Sequence, residues 1–119
     1  MSQDQIQEIE VSLADARAEV ERGRAVDRLW AHPDFKKIFI EGYFRDEAAR
    51  LAMLSSDPGL RPEMREAILR EMNGVGAVRR FLLSIQRMAQ TAAHHVSEAE
   101  EALDELRAED ADLVIGGTV

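Results

Sequence analysis

Apolar residues recur at helical spacing along almost the whole chain. Ile6, Ile9, Leu13, Ala16 and Val20 alternate steps of three and four, which gathers them on one face, and Glu8, Glu10, Asp15, Arg17, Glu21 and Arg22 take the other. This predicts a helix over 3–31, with Ser2 and Gln5 placed as a capping box. Gly23 interrupts the stripe, as a bend or as a point where another backbone comes close, and Val26, Leu29 and Trp30 resume it. Pro33 disfavours a helical His32 and suits the first turn of a new helix, predicted over 33–54. Phe35, Ile38, Phe39, Ile40, Tyr43, Phe44 and Leu51 make this the most apolar segment. Gly42 lies within it, as a kink or a site of close helix packing. Ser55-Ser56-Asp57-Pro58-Gly59 reads as a loop.

From Pro62 the pattern changes period. Ile68, Val75, Leu82, Ala89, Val96 and Leu103 stand seven apart, and Val78, Ile85, Ala92, Ala99 and Leu106 form a second such series. Together they are the a and d positions of a coiled-coil seam, and the seam keeps its phase through Asn73-Gly74-Val75-Gly76. A single helix over 62–109 follows, roughly 70 Å long, against a radius of gyration of about 13–14 Å for a compact domain of this size. The predicted fold is therefore all-α: an elongated helical hairpin or three-helix bundle in a single domain over 1–119, with one long C-terminal helix and an extended C-terminal tail. The first helix is placed antiparallel along the distal half of the long one, with the aromatic second helix near its loop end. The tail, 110–119, carries Leu113-Val114-Ile115 before Gly116-Gly117. It reads either as a frayed terminus or as a strand that docks on a neighbour.

Composition narrows the function classes. Asp and Glu number 23 against 15 Lys and Arg, a net charge of −8 that disfavours phosphate-backbone and anionic-lipid binding. The acids concentrate late: residues 96–119 hold eight against Arg107 alone, whereas 61–95 hold six Arg against three Glu. Acidic helix faces paired with neighbouring Arg explain this, as does an acidic end that meets a basic surface on another subunit. Cysteine is absent, so disulfides, thiolate metal sites and thiol nucleophiles are excluded. No apolar run approaches the ~20 residues of a membrane span, and Met1-Ser2-Gln3-Asp4 lacks the features of a secretion signal.

Candidate chemistry is sparse. His94 and His95 point about 100° apart on a helix, and His94 with Glu98 is one isolated i, i+4 pair without a second metal-binding element. Ser84, Thr91 and Ser97 have no motif partners, and Gly74-Val75-Gly76 lacks the third glycine and preceding strand of a dinucleotide fingerprint. Glu41, Asp46 and Glu47 near Tyr43 read as helix-surface carboxylates. No catalytic residue, metal site, cofactor or small-molecule substrate is expected.

Leu29-Trp30, Pro33-Asp34-Phe35, Ile40-Glu41-Gly42-Tyr43-Phe44, Asp46-Glu47-Ala48-Ala49-Arg50-Leu51 and Asp57-Pro58, with Val75, Arg80-Phe81-Leu82 and Ile85 after them, resemble small helical proteins encoded among the head and virion genes of tailed bacteriophages. The resemblance implies a non-enzymatic structural or assembly protein, in the virion and in the host cytoplasm during assembly. Its partners would be itself, as a homo-oligomer, or other virion proteins. The alternative is a small helical binding module, an assembly chaperone or regulator not retained in the particle. A long seam with too little chain to cover it points to Val96, Leu103 and Leu106 as partner contacts, with Leu113, Val114 and Ile115 on the tail.

Overall fold

The computed structural model describes the backbone of residues 2–117 and the side chains of residues 3–113. Helix α1 spans Ser2–Ala31. A second rod is built from a short α2 (Pro33–Phe35), a π-helical stretch (Lys36–Glu47) and α3 (Ala48–Ser55). Helix α4 spans Pro62–Gly117. Among the described residues only His32 and 56–61 lie outside helices, and no strand occurs.

The local signals act as their chemistry requires. Pro33 holds His32 extended (ψ 128°), and the His32 imidazole Nδ1 caps the new helix by accepting from the Asp34 N–H at 3.1 Å. The 56–61 connection is tied by Asp57: its carboxylate accepts from the Gly59 N–H at 2.9 Å, and its carbonyl accepts from the Arg65 guanidinium at 3.0 Å. Gly74 and Gly76 do not break α4. Glycine lowers helix propensity without forbidding the helix, and the seam residues on either side supply the packing that decides.

The end of α4 differs from expectation. The helix does not stop near residue 109 to release an extended tail; its backbone stays helical through Gly117. Residues 104–115 contain no proline or glycine, so each added residue closes another backbone hydrogen bond. Two glycines at the end are permissive rather than obligatory stops.

The chain divides into two compact units, Met1–Gly23 with Arg87–Val119, and Arg24–Gln86. In the first, α1 and α4 pair antiparallel. Leu13, Ala99 and Leu103 form the buried cluster, with Ile6, Ile9 and Val96 packed against it. Arg107 donates to Glu10 and Arg17 to Glu100, each at 3.0 Å, across the exposed flanks. In the second unit Leu51, Ile68 and Val75 are buried together under Tyr43, Phe44, Ala48, Leu60 and Met72.

The predicted seam is thus covered within the chain at most of its positions. Ile68, Val75, Ile85, Ala92, Ala99 and Leu103 are all buried, whereas Val78 stays 38% exposed. This corrects the expectation that the distal seam is open to a partner. Leu103 is only 3% exposed, because Leu13 and its neighbours on α1 occupy the space it faces.

A candidate docking groove beside Gly42

The π-helical stretch and the glycine segment of α4 together frame a groove. Among helical residues, i→i+5 bonding widens the turn, and side chains four and five apart share one side. Ile38, Gly42, Tyr43, Glu47 and, one turn into α3, Leu51 therefore line the same wall, joined by Phe39. Glu71, Gly74 and Val75 of α4 form the facing wall, and the space between is about 690 Å³. Both glycines deepen it. A Cβ at Gly74 would meet nothing within 4 Å, and one at Gly42 would stand 3.2 Å from the Lys37 carbonyl oxygen one π turn back.

Aromatic packing holds the first wall. Trp30 sets its ring edge-on to Phe35 with centroids 5.7 Å apart, and Phe35 stacks on Phe39 at 4.9 Å. Tyr43 and Phe44 continue the cluster, and both pack down onto Leu51, Ile68 and Val75. The sequence spacing 35, 39, 44, 48 suits a turn wider than an α-helix, which places these apolar residues on one side. The groove rim nevertheless stays open: Ile38 is 62% exposed and Phe39 39%.

The charges at the groove are few. Arg50 donates through Nε to Glu47 at 3.0 Å and through a second nitrogen to the other oxygen, a forked pair. That hydrogen bonding holds the Glu47 carboxyl below the usual carboxylate range and raises Arg50 in turn. Glu71 stands near enough to Arg50 to add to the latter effect. On the outer surface Arg45 pairs with Asp46 at 2.9 Å. Tyr43, with Glu41, Asp46 and Glu47 on the same stretch, forms no buried acid–base group: no buried polar residue occurs among the described ones.

The first unit holds a smaller hollow of about 390 Å³, lined by Glu8, Ser12, His95 and Glu98 over Ile9, Ala99 and Ala102. Ser12 Oγ and His95 Nε2 are 2.5 Å apart across the helix pair. This contact escaped the sequence, since the two residues lie 83 positions apart; only the seam register could have placed them together. A hydroxyl–imidazole pair is part of a nucleophile site, but acyl transfer also needs oxyanion donors. Here the surrounding backbone N–H groups are spent inside α1 and α4. No group of three metal-ligating side chains forms among the described residues.

The six residues expected to contact a partner fare differently. Val96 and Leu106 are half-buried, Val96 against the Leu13–Leu103 cluster, and Leu103 is closed off within it. Leu113 is 73% exposed. Val114 and Ile115 lie on α4, with side chains outside the described residues. His94 and Glu98 are both exposed. The groove itself was missed by the sequence reading, although Gly42 and Gly74 and the surplus of apolar residues in 33–54 were its visible signals.

Neither a protein-family model nor a curated protein nor a solved structure matches the chain. No helix among the described residues is long and apolar enough to cross a membrane.

Proposed function

We propose that the protein is a non-enzymatic assembly element of a tailed-bacteriophage particle, acting through helix packing against a larger complex. The observation that carries this reading is the apolar surface left open in residues 24–86. Ile38 (62% exposed) and Phe39 lie on the wall of the groove, and Met53 (76%) and Phe81 (56%) are exposed elsewhere in the same unit rather than in the core. Water-exposed apolar area of this kind is stabilised by a partner that covers it. The likeness of 29–88 to phage head and virion proteins supplies the setting, the virion and the host cytoplasm during assembly. The exposed Leu113 on the last turns of α4 keeps that end of the helix as a second contact, together with Val114 and Ile115. Leu103 is withdrawn from the contact set.

Quantitative mass spectrometry of purified particles from the encoding phage tests the reading. A fixed copy number per particle is expected. Absence from finished particles would favour a transient assembly chaperone, the reading that the groove also suits.

A further inference from the structure

The partner of the groove can be identified more closely, and the inference rests on the proposed use of this face as an interface. Three positions of the π-helical stretch are spaced by five residues; Gly42 and Glu47 line the groove, and Lys37 is exposed next to Ile38 of its wall. Lys37 lies five residues before Gly42, and Glu47 five residues after it. With i→i+5 bonding these three positions follow one another on one inclined stripe, so that a cation, a hollow and a carboxylate stand in line. Such a stripe is complementary to itself when reversed. If two copies cross antiparallel with Gly42 on the two-fold axis, Lys37 of each faces Glu47 of the other, twice over.

We propose that the groove is occupied by a second copy of this chain, in an isologous contact centred on Gly42. Charge supports the pairing. Lys36 and Lys37 are exposed and make no ion pair among the described residues. The receiving end of the groove carries Glu47 and Glu71 against Arg50, one carboxylate in surplus. Shape supports it as well. Ile38, the most exposed apolar residue on the wall, stands beside Lys37 and is carried with it onto the groove of the opposite copy. The bare backbones at Gly42 and Gly74 let the two rods approach closely at the crossing. The contact buries Ile38 and Phe39 from both copies at once.

Sedimentation equilibrium of the full chain tests this, with charge exchange as the discriminating step. The wild-type chain should show a reversible monomer–dimer equilibrium. Lys37→Glu should weaken it at least about tenfold, because each contact then holds facing acids at both ends. Glu47→Lys should weaken it likewise, since its exposed pair with Arg50 contributes little to the fold. The double exchange, Lys37→Glu with Glu47→Lys, should recover most of the loss, because every facing pair is again of opposite sign. Helical circular dichroism of the same samples separates dissociation from unfolding. Gly42→Leu should also dissociate the dimer, but its side chain crowds the Lys37 carbonyl, so the charge exchange decides. A chain monomeric at all concentrations, a dimer indifferent to Lys37→Glu, or a double exchange weaker than either single one would overturn the pairing. A monomeric chain that is still built into particles would overturn it while leaving the proposed function intact.

Discussion

At the scale of single residues, two leucines carry the argument for where this chain is closed and one for where it is open. Leu51 is 1% exposed and Leu103 3%, and each sits at the centre of its unit's cluster. Leu51→Ala and Leu103→Ala should each lower stability by about 2–5 kcal/mol, the cost of lost transfer energy and a residual cavity. Leu113→Ala, at 73% exposure, should change it by no more than about 0.5 kcal/mol. Urea unfolding followed by helical circular dichroism measures all three, and a Leu103→Ala loss as small as that of Leu113→Ala would mean that α1 does not cover the seam in solution. Charge at Glu47 makes a second test. Its folded pKa is lowered by the Arg50 hydrogen bonds, so the pair stabilises above the ordinary carboxylate range and stops doing so as pH falls through the lowered value. Arg50→Ala should therefore move the Glu47 midpoint upward in an NMR titration of its carboxyl carbon. An unmoved midpoint would show that the forked pair does not persist in water.

At the scale of elements, the helices were largely legible and their neighbours were not. A three-and-four spacing fixes α1, Pro33 and Pro62 fix two helix starts, and the seven-residue repeat carries α4 through Asn73-Gly76. All of these are local properties, written in residues a few positions apart. Which element covers the seam is not local: Leu13 meets Leu103 only after the chain has turned back, and periodicity alone leaves a shared or an internal seam equally possible. The π-helical stretch was illegible for a related reason. The 35, 39, 44, 48 spacing of its apolar residues suits the wider turn, but a broad apolar face of an α-helix accommodates the same residues, and the ring contacts of Phe35 with Phe39 and of Phe39 with Phe44 are seen only in three dimensions. Glycines distinguish these contexts experimentally. Gly74→Ala and Gly76→Ala meet nothing within 4 Å, so each should raise stability by about 0.5–1 kcal/mol through helix propensity alone. Gly42→Ala should gain less or lose stability, because its methyl group would press on the Lys37 carbonyl oxygen at 3.2 Å. Equal gains at the three sites in thermal unfolding would argue that Gly42 lies in an ordinary α-helical turn.

At the scale of the whole molecule, charge and apolar surface are divided between the two units. Residues 1–23 and 87–119 hold fourteen carboxylates against four arginines, whereas 24–86 hold eleven cations against nine carboxylates. The excess of acid therefore lies wholly in one unit, and the groove with its exposed apolar rim lies in the other. Two kinds of surface on one chain allow two kinds of contact, one apolar and one electrostatic. The last turns of α4 belong to the acidic unit and end it with a reversal of character, from Asp110 and Asp112 to Leu113 and the two β-branched residues after it. As helix rather than strand, this end presents Leu113 on an exposed helical surface. Truncation after Asp112 removes no residue of either buried cluster. The shortened chain should unfold within about 0.5 kcal/mol of the full one, yet enter particles at a reduced copy number. Mass spectrometry of particles assembled with each form reads the second quantity, and unfolding reads the first. Equal incorporation with unchanged stability would take the C-terminal end out of the proposed assembly contacts and leave the groove as the one proposed.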